Sequence, residues 1–269
     1  MTTSTAKLQE IYNQQGFLSA LPVLNEAELS EARHAFSELE KELGVEYTKY
    51  SLHNVHLQYP WLSKPSWALT VILLDSRFIC KYPTLKPDIQ ENEEGETKHD
   101  GSVGEDTLPY VAWHQDMRYW GIAGGPVLSV WLGLDDSLEE NGALRVIPGS
   151  HHVGMLPHRQ AIHPGNMLSV NQEIPEELVQ ADNAVLCPLS AGQMSIHDGL
   201  LVHASDANTS QRRRCGFVIR YVPTCAYPIQ DPDRPRKFHA TMLVSGTDKF
   251  NHFSSKATSA LHSHLPRNI

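Results

Sequence analysis

Tyr110-Val111-Ala112-Trp113-His114-Gln115-Asp116 reads as a short extended run ending in a histidine and an acid two residues apart. In a strand, residues i and i+2 project from the same face, so the His114 imidazole and the Asp116 carboxylate can aim at one point. His-x-Asp alone is a weak signal. It gains weight from His203, in Leu200-Leu201-Val202-His203-Ala204-Ser205. Two imidazoles and one carboxylate suit a ferrous ion held on one octahedral face, with three positions left open. A closed structural zinc site would want four protein ligands, often thiolates. No His-Glu-x-x-His is present, which removes the commonest zinc-hydrolase reading.

Around this run the chain is rich in short β-prone segments broken by Gly, Pro and Asn. Val71–Leu74, Phe78–Lys81, Tyr110–His114, Leu128–Leu134, Ala143–Ile147, Ala184–Pro188, Gln193–His197 and Phe217–Val222 are expected strands. No helical pattern separates consecutive strands, so a parallel βαβ sheet is disfavoured and an antiparallel sandwich or barrel is expected. The first 45 residues or so read as helical. One helix covers about Leu8 to Gln15 and stops at Gly16. A second starts at a capping box of Asn25 and Glu28, carries Leu29, Ala32, Phe36, Leu39 and Leu43 on one stripe, and has Gly44 where a left-handed cap belongs. The fold class is α+β, one domain over residues 1–269, with a helical part at about 1–50. An acidic segment at about 88–106 carries Asp88, Glu91, Glu93, Glu94, Glu96, Asp100, Glu105 and Asp106 against Lys98 alone. It is a solvated loop or a lid.

Composition narrows the partners. Hydrophobic residues at 41% and charged residues at 20% exclude wholesale disorder, and a net charge of −9 argues against nucleic acid or an anionic membrane. There is no transmembrane run, Met1 to Asn13 is too polar for a signal peptide, and the terminal residues are no peroxisomal address. Cys80, Cys187, Cys215 and Cys225 lie far apart without a CxxC pair, so reduced thiols and a cytoplasmic location are expected.

Downstream of His203, Arg212-Arg213-Arg214 enters an apolar strand. A guanidinium entering a β core needs an anion, and a dicarboxylate held by a two-pronged fork would supply one. Arg214 takes that role by its spacing from His203, while Arg212 and Arg213 read as surface charge at a turn.

Several stretches together resemble the phytanoyl-CoA dioxygenase family of Fe(II)- and 2-oxoglutarate-dependent oxygenases. They are Trp113–Asp116 with Tyr119-Trp120-Gly121, Val130-Trp131-Leu132, Glu140-Asn141-Gly142 through His151, Gly192–Ser195, and His203-Ala204-Ser205 with Asn208 and Arg214. The resemblance spans about Phe78 to Pro223. It implies a double-stranded β-helix, or jelly-roll, buttressed by the N-terminal helices. It also implies His114, Asp116 and His203 as catalytic iron ligands, and Arg214 on the distal carboxylate of 2-oxoglutarate with Ser205 beside it. Trp131 would wall that pocket, and Lys81 would also reach the cosubstrate. A further family contact between Lys81 and His114 is lost in the acidic insertion. Ala204 departs from the family's usual glycine.

The activity so implied is hydroxylation of an unactivated C–H bond with O2, releasing succinate and CO2, with ascorbate assisting. Asp116 points to hydroxylation, because related halogenases lack this carboxylate. A small polar metabolite is the expected substrate. An acyl-CoA hydroxylase, a non-catalytic metal-binding jelly-roll and a cupin-type zinc or manganese enzyme are the alternatives. Arg118, Tyr119 and Trp120 are candidates for the substrate pocket, although Trp120 reads equally as core and Arg118 as solvent-facing. His151, His152, His158 and His163 read as loop residues, and His203 is preferred to His197 as ligand. Oligomeric state has no signal.

Overall fold

A computed structural model describes residues 4–50, 71–83, 108–229, 238 and 240–253. The acidic segment lies outside the described residues. Helix α1 (Thr5–Gln15) begins where the Ser4 side chain accepts from the Lys7 N–H and ends at Gly16, which has φ 81° and ψ 2°. Glycine is required there twice over, since a Cβ would also fall 2.5 Å from His151 Nδ1. The chain then forms strand β1 (Phe17–Pro22). This corrects the all-helical reading of the N-terminal part. Helix α2 (Glu26–Leu43) opens on the expected box, Asn25 Oδ1 accepting from the Glu28 N–H at 3.0 Å and Glu28 Oε2 from the Asn25 N–H at 2.9 Å. Gly44 has φ 84° but ψ 157°, so it is not the left-handed helical cap expected of it. A further short helix, α3 (Val45–Tyr50), follows.

The strands are β2 (Val71–Lys81), β3 (Val111–His114), β4 (Ile122–Ala123), β5 (Leu128–Gly133), β6 (Leu144–Val146), β7 (Arg159–Gln160) and β8 (Gln172–Glu173). Then come β9 (Val185–Cys187), β10 (Gln193–Asp198), β11 (His203–Ser205), β12 (Arg214–Pro223), β13 (Tyr227–Pro228) and β14 (Met242–Ser245). A helical turn, α4 (Asp116–Trp120), separates β3 from β4. A six-stranded sheet runs β1-β10-β5-β12-β2-β14 and a four-stranded sheet runs β3-β11-β6-β9, with antiparallel neighbours throughout. This is the expected jelly-roll of two sheets. β2 is one strand where two were expected. Asp75, Ser76 and Arg77 break the apolar pattern in sequence, yet they are buried within it.

The six-stranded sheet has two chemically different faces, set by strand alternation. Ala32, Phe36 and Leu39 of α2 pack on Phe78, Cys80, Leu132, Cys215 and Phe217. The opposite face turns Lys81, Ile79, Arg77 and Asp75 inward, paired in register with Arg214, Gly216, Val218 and Arg220. Arg220 pairs with Asp75 but Tyr221 pairs with Leu73, so Leu74 is an extra residue and the strand bulges beside Asp75. On the outer face Cys80 and Cys215 are direct partners with Cα atoms 4.2 Å apart, and their sulfurs are bonded. The expectation of four separate thiols therefore fails for this pair, because register brings together residues 135 apart in sequence. Cys187 and Cys225 are free. No helix among the described residues is long and apolar enough to cross a membrane.

Candidate active site

β3 ends at His114, and Gln115 keeps extended backbone (φ −124°, ψ 127°) before α4 starts at Asp116. The two-residue alternation therefore survives although Asp116 opens a helical turn rather than continuing the strand. His203 opens β11 and pairs in register with His114. Ligand atoms of His114, Asp116 and His203 lie within 4.8 Å of one another, and all three residues are buried. His114 Nδ1 meets the Ala112 carbonyl and His203 Nδ1 the Leu201 carbonyl, each at 2.8 Å. A ring that donates from Nδ1 presents the Nε2 lone pair, so both imidazoles are set as neutral ligands facing the carboxylate. Gln115 holds the arrangement. Its amide donates to the Gly154 and Leu200 carbonyls at 2.8 and 2.6 Å and accepts from the Leu156 N–H at 2.8 Å. It thus ties the His114–Asp116 turn to the segment leading into His203.

Asp116 sits among donors. Ser129 Oγ donates to it at 2.5 Å, and Arg220 reaches it through Nε and Nη2 at 3.3 Å each. Burial pushes the carboxyl upward, but the Arg220 guanidinium outweighs that and holds it well below the usual range. His203 is driven well below its ordinary value by burial first, then by its histidine neighbours, against an opposing pull from Asp116. The result at neutral pH is a carboxylate and an imidazole with a free lone pair. This set of two nitrogens and one oxygen on one side fits a ferrous ion. His197 lies close by, its Nε2 3.7 Å from Asp116 and its ring 4.6 Å from that of His203, but the close-set ligand group is the one containing His203.

A second charged cluster stands at the start of β12. Arg214 and Lys81 are register partners on the inner face. The Arg214 guanidinium lies 4.3 Å from the Trp131 ring centroid, its Nε donates to Ser137 Oγ at 3.3 Å, and Nη1 has no hydrogen-bond partner. Burial lowers the Arg214 pKa to about 9. Lys81 is held well below its usual value, by burial first and then by the Arg214 charge. Its ammonium donates to Ser205 O at 2.9 Å and Oγ at 2.5 Å, and to the Asp206 carbonyl. Two buried cations side by side with mostly neutral acceptors fit a dicarboxylate. Glycines make the space. A Cβ on Gly216 would fall 2.2 Å from the Trp131 ring, and one on Gly142 (φ 81°) 2.2 Å from the Asp206 carbonyl oxygen and 3.1 Å from Lys81 Nζ. Asn208 pins the approach to β12, donating to the Lys81 and Arg212 carbonyls at 3.0 and 2.7 Å.

Of the expected substrate residues, Tyr119 and Trp120 line a narrow slot beside His114 and Asp116. Arg118 is exposed and does not line it. Arg212 is exposed and meets Glu140. Arg213 is not loose surface charge. It bridges Asp135 and Glu40 and lies 5.2 Å from the Phe36 ring centroid, clamping α2 to the sheet. His151 Nε2 meets the Asn13 carbonyl at 3.1 Å. Sequence reasoning missed Gln115, Ser129, Ser137 and Arg220. For Arg220 a signal existed, namely a charged residue in the apolar run Phe217–Val222.

A family model described as phytanoyl-CoA dioxygenase (PhyH) matches residues 80–216. The chain is 32% identical over 139 residues to L-proline trans-4-hydroxylase of Streptomyces griseoviridis, covering 45% of this chain and 52% of that protein. It is 27% identical over 119 residues to a probable alpha-ketoglutarate-dependent hypophosphite dioxygenase of Stutzerimonas stutzeri, covering 44% and 42% respectively. The chain therefore spans about half the length of the curated relatives it matches. In fold it is similar to the solved structure of a non-heme monooxygenase, ThoJ, in its apo form. The TM-score is 0.67 at 24% identity, over 93% of this chain and 87% of that one.

Proposed function

From a chain that belongs to the phytanoyl-CoA dioxygenase family, we infer an Fe(II)- and 2-oxoglutarate-dependent dioxygenase that hydroxylates a C–H bond of a small polar metabolite. The observation that carries this reading is the pairing of a buried His114–Asp116–His203 group with a buried, anion-poor Lys81–Arg214 pair in one β-sandwich. The names of two relatives support it, one hydroxylating L-proline and the other depending on alpha-ketoglutarate.

With the metal and cosubstrate bound, the site supplies O2-driven oxidative decarboxylation of 2-oxoglutarate to succinate and CO2, coupled to insertion of one oxygen atom into the substrate C–H bond. The protein's share is positional. His114, Asp116 and His203 would hold the ion. The Nδ1 bonds to Ala112 and Leu201 hold both rings in the donor tautomer. Ser129 keeps Asp116 oriented, and Arg220 keeps it ionised. Arg214 and Lys81 grip the distal carboxylate, with Trp131 closing its wall and Ser205 fixing the lysine. Ile79, Val218, Trp131 and Leu189 form the apolar patch beside these cations and keep water from competing for them.

Protein supplied with Fe(II), ascorbate and 2-oxoglutarate should release succinate slowly without added substrate, and His114→Ala should abolish that release. Absence of iron binding by the wild-type chain overturns the reading.

A further inference from the structure

β12 carries a second inward arginine, Arg220, which braces Asp116 and keeps one guanidinium nitrogen without a hydrogen-bond partner. Arg220 is buried, with 9% of its side chain exposed. Nε and Nη2 point at Asp116, each at 3.3 Å. Nη1 stops 3.6 Å from the Asp75 carboxylate and has no hydrogen-bond partner. A buried guanidinium edge with nothing to donate to is costly, and a protein keeps one where a ligand completes it.

The place is as telling as the vacant donor. Arg220 lies six residues along β12 from Arg214, on the same face of the sheet, about 20 Å of extended chain. The cosubstrate cations thus sit at one end of the strand and Arg220 at the other. Between His114, Asp116, Tyr119, Trp120, Gln172 and Arg220 runs a slot with about 20 Å³ of free space, enough for one small polar group. Its wall includes Arg77, which pairs with Asp75 at 3.1 Å. The Trp120 ring, 5.2 Å from the Arg220 guanidinium, limits how that guanidinium can turn. A group held here lies beside the metal ligands, away from the 2-oxoglutarate anchor, where the carbon to be hydroxylated has to come.

We propose that Arg220 anchors a carboxylate of the substrate through its Nη1 edge, so that this site acts on small carboxylic acids. The proposal rests on the dioxygenase reading above and specifies its substrate class. A planar guanidinium edge matches a carboxylate, and a slot this narrow admits that group more readily than a larger tetrahedral oxyanion.

The test uses the full chain loaded with Ni(II) and 2-oxoglutarate, which binds without turning over. Calorimetric titration compares acids with their primary amides, L-proline against L-prolinamide first, then the other L-amino acids and short straight-chain acids. At least one acid should bind at least about 30-fold more tightly than its amide. In Arg220→Gln that ratio should fall to near one, with Arg220→Lys in between. If Arg220 merely positioned Asp116, its loss would weaken acid and amide alike and leave the ratio intact, which overturns the proposal. A panel in which no acid binds, or a phosphonate analogue that outbinds its carboxylate, overturns it as well. The wild-type comparison stands even if Arg220→Gln does not fold. Absence of 2-oxoglutarate binding in the preceding titration would instead mark failure of the dioxygenase reading.

Discussion

The two ends of the inner face of β2 and β12 differ in charge balance: one holds two cations, the other two cations interleaved with two carboxylates. At Lys81 and Arg214, two buried cations meet the Ser137 and Ser205 side chains and the Ser205 and Asp206 carbonyls, while the Asp206 carboxylate turns out to Arg145 at 3.1 Å. At the other end, Arg77 and Arg220 interleave with Asp75 and Asp116. The first end depresses the pKa values of its own cations, and the second holds a carboxylate ionised despite full burial. Buried charge of one sign without its opposite marks a place for an anion. A carboxylate kept ionised beside two neutral imidazoles marks a place for a dication. The proposed cosubstrate and metal sites thus share one strand pair and differ in electrostatic means.

That contrast breaks most sharply if the metal end is disarmed. His114→Ala should weaken Fe(II) binding by at least about 100-fold in anaerobic titration, leaving the cation end to bind 2-oxoglutarate only weakly. At the other end, Arg214→Ala should raise the 2-oxoglutarate dissociation constant by about 30-fold or more, with Fe(II) affinity little changed. A comparable loss of both ligands in both variants would dissolve the distinction between the ends.

Protonation sharpens it further. Lys81 is held well below the ordinary lysine value by burial and Arg214, so the free protein sheds that proton earlier than an exposed lysine would. Folding follows the same sign. The buried ammonium is unfavourable, so stability of the ligand-free protein rises as pH climbs through the depressed value and stops gaining above the unfolded one. A bound dianion favours the ammonium. Above the free Lys81 value, binding of 2-oxoglutarate should therefore take up a proton, and affinity should fall by up to about tenfold per pH unit. Calorimetry in buffers of different ionisation enthalpy, repeated across a pH series, measures the uptake, and zero uptake at every pH up to that of an ordinary lysine contradicts the assignment. The smallest expected effect is steric. Gly216→Ala drives a methyl into the Trp131 ring and displaces it from Arg214, which should weaken 2-oxoglutarate by about five- to tenfold while costing about 1–3 kcal/mol of stability, read from thermal unfolding.

The convergence of His114, Asp116 and His203 and the burial of Arg214 were legible because their signals are local: an alternation of two along a strand, a histidine in a fixed frame, and a charge entering an apolar run. What escaped was set by register. β1 pairs with β10, far downstream, and nothing within Phe17–Pro22 announces that partner between two helices. Asp75 and Arg77 looked like an interruption of β2, whereas they pair with each other and Asp75 faces Arg220 across the strands. The Cys80–Cys215 contact likewise depends on which residues of β2 and β12 stand side by side. Arg220 is a different kind of miss. The reasoning that a guanidinium in a β core needs an anion applied to it as much as to Arg214.

The most direct test is an anaerobic titration of Fe(II) into the chain with 2-oxoglutarate present, followed by visible absorption. One ferrous ion per chain should bind with the charge-transfer colour of iron chelated by a keto acid, and that colour should be missing in both His114→Ala and Arg214→Ala under the same conditions. Iron that binds without the colour, or colour that survives in both variants, would contradict a shared site for metal and cosubstrate.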